Sequence, residues 1–159
     1  MLLRALTAFL ALPGVIAFAV PLILAQSLAL PPRLGFPSAS LLLCGCVCLL
    51  WCTWAFYASG KGTLAPWSPP EHLVTHGLYS YSRNPMYCGV LLLLFGWAAL
   101  FESALLLWYS AAVALAFHLR VVRAEEPWLA QAHGEEWRNY SSKVSRWFGR
   151  HPQRQSGDA

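Results

Sequence analysis

Four stretches of this chain carry no Asp, Glu, Lys or Arg: Ala5–Leu30, Ser38–Ala58, Pro85–Phe101 and Ala104–Leu119. A helix needs about 20 consecutive apolar residues to cross a hydrocarbon core ~30 Å thick. The first two runs reach that length. The other two are shorter, and the tight turn Phe101-Glu102-Ser103 joins them into a hairpin. Charged residues make up 11% of the sequence, against about 25% in a soluble domain. The expected fold is all-α: one domain, a polytopic membrane helix bundle of about four transmembrane helices, with a cytoplasmic connector and a C-terminal helix.

Taken in order, the runs carry their own punctuation. Pro13 and Pro21 kink the first, which neighbouring helices tolerate in a membrane. Arg4 before an apolar run also resembles a secretory signal, but the run is long for one and further spans follow. Pro31–Pro37 reads as a tight turn, and Ser59–Pro70 as a Gly/Pro-rich loop in which Trp67 suits the interface. Pro85 suits the first turn of the third helix, with Asn84 just before it. Gly89 and Gly96 let another helix approach that run closely. His151–Ala159 closes the sequence as a polar tail.

Metal and disulfide chemistry are not expected. Cys44, Cys46, Cys48 and Cys52 crowd into the second run, and Cys88 makes an odd count. Helical spacing turns Cys44 and Cys46 in different directions, with no His or carboxylate nearby, so they read as small buried side chains. His72 and His76 have helical spacing, but Leu73 follows His72, so the HExxH zinc pattern is absent.

The basic residues orient the chain. With four spans, Arg4, Lys61, Arg83, Arg120, Arg123, Arg138, Lys143, Arg146, Arg150 and Arg154 share one side, and only Arg33 lies on the other. Positive residues mark the cytoplasmic side, so both termini are expected there, in a multi-pass integral membrane protein.

The same folding brings two polar islands to one face: segment 71–89 before the hairpin and segment 120–140 after it. Ionisable groups where spans meet water are candidates for function. The first island offers His72, Thr75, His76, Tyr79, Tyr81, Arg83 and Tyr87; the second opens on Glu125 and Glu126. Carboxylates and aromatic faces attract a sulfonium or ammonium, and an arginine suits a ligand carboxylate. The plainer alternatives are lipid-headgroup contacts, an aromatic belt, a solvated acidic face and Gly134 as a helix C-cap. No basic surface interleaved with aromatics points to nucleic acid; Lys143–Arg154 suits anionic lipid instead.

The islands carry a recognisable pattern. Leu73-Val74-Thr75-x-Gly77-x-Tyr79, then Arg83-Asn84-Pro85-x-Tyr87-x-Gly89, then the hairpin, then Glu125-Glu126-x-x-Leu129, Gly134 and Tyr140, resembles the isoprenylcysteine carboxyl methyltransferase family. That family sits with the phospholipid methyltransferases among integral-membrane methyltransferases. The likeness covers about Glu71–Trp147; the first two runs match only in being apolar. It implies methyl transfer from S-adenosyl-L-methionine. It implies that Glu71, His72, Leu73, Val74 and Tyr79 line the cofactor pocket, that Asn84, Pro85, Met86 and Tyr87 form a second wall, and that Glu125 completes it. Arg83, Glu125 and Arg123 are the expected catalytic residues, and Arg120 and Arg123 the expected contacts to the acceptor. Asn84 stands where the family more often has His.

The implied acceptor is lipophilic or lipidated, a prenylcysteine carboxylate being the type case. A phospholipid amine and a thiol are the alternatives within the reaction class. A carboxylate acceptor needs no base; an amine or thiol would draw on His72, His76 or Glu125. Two readings lie outside the class: an NADPH-dependent enzyme like the sterol reductases, and a non-enzymatic membrane protein.

Overall fold

The computed structural model describes residues 10–58 and 73–149, and every regular element among them is helical. Helix α1 begins as π-wound turns, Leu10–Ala19, and continues as Val20–Ser27. Helix α2 is Phe36–Ala58. A single 3-10 turn, Gly77–Ser80, lies in the connector. Helices α3, Pro85–Leu100, and α4, Ala104–Arg120, form the hairpin. A π-wound turn, Val121–Glu125, carries α4 without a break into α5, Glu126–Lys143. The expected loop Ser59–Pro70, together with Glu71, His72 and the tail from Arg150 onward, lies outside the described residues.

Two helices are long and apolar enough to cross a membrane: Phe36–Ala55, and the one running from Ala104 to Lys143. Gly14–Ser27 and Pro85–Leu100 are apolar but shorter. The 16 residues of α3 rise about 24 Å at ~1.5 Å each, less than the core of an ordinary bilayer. Of the four expected spans, two are long and apolar enough to cross a membrane, and the other two are apolar helices below that length. Leu43, Val47, Leu50 and Trp54 on α2 and Leu105, Leu107, Trp108 and Leu115 on α4 are exposed. An apolar exterior of this extent suits hydrocarbon better than water.

Helix α1 stops three residues before the expected Leu30. The Leu30 N–H reaches back to the Ala25 carbonyl at 2.9 Å and the Ala29 N–H to that of Gln26 at 3.1 Å. Ala29 turns left-handed, at φ 49°. That is the Schellman closure, made here without glycine.

Pro21 has no amide hydrogen, so the carbonyl four residues back, on Ala17, loses its helical partner. The Trp97 indole N–H of α3 donates to that carbonyl at 2.8 Å, and the Tyr109 hydroxyl of α4 donates to the Ile16 carbonyl at 3.2 Å. The proline kink is therefore tolerated because the hairpin completes its hydrogen bonds.

Helices α2 and α3 pack at close range. A Cβ on Gly45 would stand 2.7 Å from the Leu93 side chain, 2.9 Å from the Leu93 nitrogen and 3.0 Å from the Gly89 carbonyl. A Cβ on Gly96 would stand 2.8 Å from the Leu42 side chain. Small residues let the two backbones meet. Around this seam Ala17, Leu49, Val90, Leu93, Leu94 and Phe117 form the buried core, so all four apolar helices contribute. At the end away from Arg83, the Arg33 N–H donates to the Leu100 carbonyl at 2.6 Å, and its guanidinium meets Glu102 at 2.8 Å.

Two substitutions test this packing. Gly45→Ala would press on the Leu93 side chain and also on backbone atoms of Leu93 and Gly89, which cannot swing aside, and should cost about 1–3 kcal/mol. Trp97→Phe strands the Ala17 carbonyl in an apolar setting, and should also cost about 1–3 kcal/mol. Thermal unfolding in detergent micelles reads both; a midpoint unchanged from the unsubstituted protein in either case would contradict the contact concerned.

Candidate functional site

The start of α3 and the end of α4 meet in two polar clusters built on neighbouring carboxylates. In the first, the Tyr87 hydroxyl donates to the Glu125 carboxylate. The Arg120 Nε–H is shared between Glu125 Oε1 at 2.7 Å and the Tyr87 hydroxyl oxygen at 3.2 Å. The Tyr87 ring stacks on Phe117, with centroids 4.4 Å apart. In the second, Arg83 Nη1 lies 3.1 Å from Glu126 Oε1. Arg146 grips the same carboxylate with both oxygens engaged, Nε to Oε1 at 2.7 Å and Nη2 to Oε2 at 2.8 Å.

The local winding explains the first cluster. In an α-helix, positions five apart face away from one another; a π turn is wider and brings them closer to one face. The Glu126 N–H bonds the carbonyl of Val121, five residues back, and this winding sets Arg120 beside Glu125. Pro127 sits at the entry of α5, where its missing N–H and its ring disfavour regular α-winding of the preceding turn. Glu126, one position on, is turned by about 100° and meets the other cluster.

A return segment closes the second cluster. After Lys143 the chain leaves the helix and runs back along the start of α3. The Arg83 N–H donates to the Ser145 carbonyl at 3.0 Å. Asn84 Nδ2 donates to the Arg146 carbonyl at 3.1 Å, and the Ser82 hydroxyl reaches it at 3.4 Å. Trp147 packs against the core beside the hairpin, and its indole N–H faces His118 Nδ1 at 3.4 Å. Higher up, Leu73 and Leu129 pack on Trp137, Tyr140 and Val144, and the Tyr140 hydroxyl donates to the Tyr79 carbonyl at 2.6 Å.

Of the expected site residues, Arg83, Asn84, Pro85, Met86, Tyr87, Arg120 and Glu125 come together around the start of α3. Val74 and Tyr79 are buried against Cys52 just beneath, with Met86 packed on them. Arg123 is exposed and has no hydrogen bond or ion pair among the described residues, so Arg120 is the arginine at Glu125. Gly134 takes a positive φ of 48°, as a C-cap would, but the helix resumes beyond it to Lys143; the glycine makes a kink, not an end. Sequence reasoning missed the structural roles of Arg146 and Trp147. The available signal was three apolar residues, Val144, Trp147 and Phe148, in an otherwise basic and polar stretch. No group of three or more potential metal ligands converges among the described residues.

The electrostatics of the second cluster are those of a partly buried ion-pair network. Burial lowers the Arg83 guanidinium, the Glu126 charge opposes this, and Arg146 adds to the lowering. The Arg83 guanidinium carbon lies 5.4 Å from the Trp137 ring centroid, and its Nε is buried without a hydrogen-bond partner. Burial also acts to raise the Glu126 carboxyl, but the Arg146 hydrogen bonds and the charges of Arg83 and Arg146 outweigh it, and the carboxyl is held below the ordinary glutamate range. Burial pushes the Tyr140 phenol up to about 12.

A lowered carboxyl contributes stability that is full above its unfolded value and is lost as pH falls through its folded value. Glu126→Gln should therefore be less stable than the unsubstituted protein at neutral pH, and the gap should narrow as the pH is lowered below the ordinary glutamate range. Thermal midpoints across that range read it; a constant gap would contradict the ionic account.

Residues 35–136 match the phospholipid methyltransferase family. The chain is 38% identical over 104 residues to the cobalt-zinc-cadmium resistance protein CzcN of Cupriavidus metallidurans, an alignment covering 64% of this chain and 42% of that protein. The chain thus spans about two fifths of the length of that curated relative. No solved structure gives a significant match. With more than half of its 159 residues matched, the chain belongs to the phospholipid methyltransferase family.

Proposed function

We propose that the protein transfers a methyl group from S-adenosyl-L-methionine to a lipidic acceptor of the prenylcysteine carboxylate type, at the cytoplasmic face of the membrane. The observation that carries this reading is the joining of Tyr87, Arg120 and Glu125 beside Arg83 and Glu126, within a chain of a methyltransferase family. The residues fit the cofactor's chemistry. A carboxylate and an aromatic ring suit its sulfonium, and a guanidinium with a buried, unpartnered Nε suits its carboxylate. Glu125 and Tyr87 would hold the cationic end, Arg83 the anionic end, and Leu73, Val74, Tyr79, Asn84, Pro85 and Met86 the remaining walls; Glu71 and His72 complete the proposed set. When bound, the cofactor supplies an electrophilic methyl group for in-line displacement.

The protein's own part is positioning and exclusion of water. Tyr87 and Phe117 present a stacked aromatic surface toward the hairpin. Arg120, at the end of α4, orients an anionic acceptor group, with Arg123 nearby on the exposed side. A carboxylate acceptor reacts without a base. For an amine acceptor, Glu125 would take the proton, and the description of the family favours a phospholipid amine as the second reading.

The proposed topology has four crossings, with α1 and α3 as the short ones and both termini cytoplasmic. Its support is the distribution of charge in the sequence: with four crossings, ten of the 11 Lys and Arg residues would share the side of Arg83 and Glu125, and Arg33, paired with Glu102, would lie on the other.

Calorimetric titration of detergent-purified protein with S-adenosylhomocysteine tests the reading. Binding at about micromolar Kd, typical of small-ligand sites, is expected for the unsubstituted protein. It should be lost in Glu125→Ala and in Arg83→Ala while both remain folded. Unchanged binding in both variants would remove the assignment of the site, and no binding by the folded parent protein would remove the methyl-transfer reading. Transfer of radiolabelled methyl to separated lipid and lipidated-protein fractions then distinguishes the acceptors.

A further inference from the structure

We propose that the return segment Val144–Trp147 is a working wall of this site and that Arg146 is a positioning residue for Glu126 and Arg83. This rests on the methyl-transfer reading for its functional part. The segment lies beyond residues 35–136, the stretch the family match covers, so nothing in that match assigns it a role.

Three independent sets of contacts carry the proposal. First, Arg146 engages both oxygens of Glu126, while Arg83 has a single contact to one of them. A bidentate guanidinium fixes the plane of a carboxylate; a lone contact does not. Arg146 therefore sets where Glu126 points, and Glu126 sets the ion-pair partner of Arg83.

Second, the backbone of the segment holds the residues on either side of the Arg83 side chain. The Ser145 carbonyl accepts from the Arg83 N–H, and the Arg146 carbonyl accepts from Asn84 Nδ2 and the Ser82 hydroxyl. Asn84, at the N-cap position of α3, makes no side-chain cap bond to its own helix. Its amide is committed to the segment instead.

Third, Trp147 anchors the segment. It packs against the buried core and stacks beside His118, with ring centroids 6.1 Å apart. Its carbonyl faces the Cys88 thiol at 3.9 Å. An indole docked in this way holds Arg146 from the C-terminal side, as Val144, buried against Trp137 and Tyr140, holds it from the other.

The charge balance gives Arg146 its effect on ligand binding. Glu126 is shared by two guanidiniums. With Arg146 in place, Glu126 is partly neutralised, and Arg83 keeps positive potential and a buried unpartnered Nε for an incoming anion. Without Arg146, Glu126 is free to close on Arg83 alone, and that donor is no longer poised for ligand. Lysine at the position would restore the charge but could not hold two carboxylate oxygens in one plane.

The experiment uses the full chain with Arg146→Gln, Arg146→Lys and, as a control, Arg138→Gln on the exposed side of α5. Three measurements are made. Calorimetry with S-adenosylhomocysteine should show Kd raised at least about tenfold in Arg146→Gln, equivalent to ~1.4 kcal/mol, raised less in Arg146→Lys, and unchanged in Arg138→Gln. Methyl transfer should show KM for the donor raised more than kcat is lowered, a split that general loss of folded protein would not produce. Hydrogen exchange of the ligand-free protein should show the Arg83 amide exchanging faster in Arg146→Gln and close to normal in Arg138→Gln. Equal Kd in Arg146→Gln and parent would overturn the proposal, as would an unchanged Arg83 amide. Failure of the parent itself to bind S-adenosylhomocysteine would overturn the methyl-transfer reading and with it the functional part; the exchange measurement would still decide whether Arg146 positions the start of α3.

Discussion

Pro127 cannot donate an amide hydrogen, and much of the site's shape follows from that lack. A helix that meets proline after an unbroken run must kink, break or widen. This one widens into the π turn Val121–Glu125 and keeps going, so a single helical path runs from Ala104 to Lys143. The wider turn brings Glu125 back to Arg120 on the same path and across to Tyr87 on α3. The next carboxylate, Glu126, is turned toward Arg83 and Arg146. Two adjacent acids in the sequence thus serve two separate clusters, and neither is left as a solvated pair.

The other proline with a visible consequence is solved differently. Before Pro21 the helix is π-wound too, but here Trp97 and Tyr109 of the hairpin also donate to the carbonyls of Ala17 and Ile16. The bond therefore ties α1 to α3 and α4 as well as satisfying it. With Gly45 and Gly96 holding α2 on α3, the hairpin is the element against which the other apolar helices are arranged. Its outer faces remain covered by Leu and Trp side chains that belong in hydrocarbon.

The helical character, the hairpin and the convergence of Arg83 with the acidic pair were legible in the sequence. Charge-free runs, a short turn and the parity of crossings suffice to bring the ends of α3 and α4 to one side. The pairing of particular groups was not legible. Arg120 and Arg123 look equivalent in a list of basic residues; only the π winding selects Arg120. Asn84 looks like an ordinary N-cap before Pro85, but its amide is drawn to a carbonyl 62 positions away. Gly134 looks like a helix end because it is a glycine, while beyond it the chain winds into helix again and packs Trp137 and Tyr140. Each of these depends on tertiary contacts that no local pattern encodes.

The return segment also bears on the order in which the molecule is made. Ser145, Arg146 and Trp147 follow every apolar helix in the chain, yet they contact Ser82, Arg83, Asn84 and Cys88 at the beginning of the hairpin. The four apolar helices can pack on one another while Arg83 and Glu126 still lack the clasp. The second cluster is completed only when Ser145 and Arg146 fold back onto the start of α3. In the proposed topology the packing of the apolar helices and the closure of the polar clusters are therefore separable, and a chain truncated after Tyr140 would keep the helices that form the core but lack the segment that clasps Arg83 and Glu126.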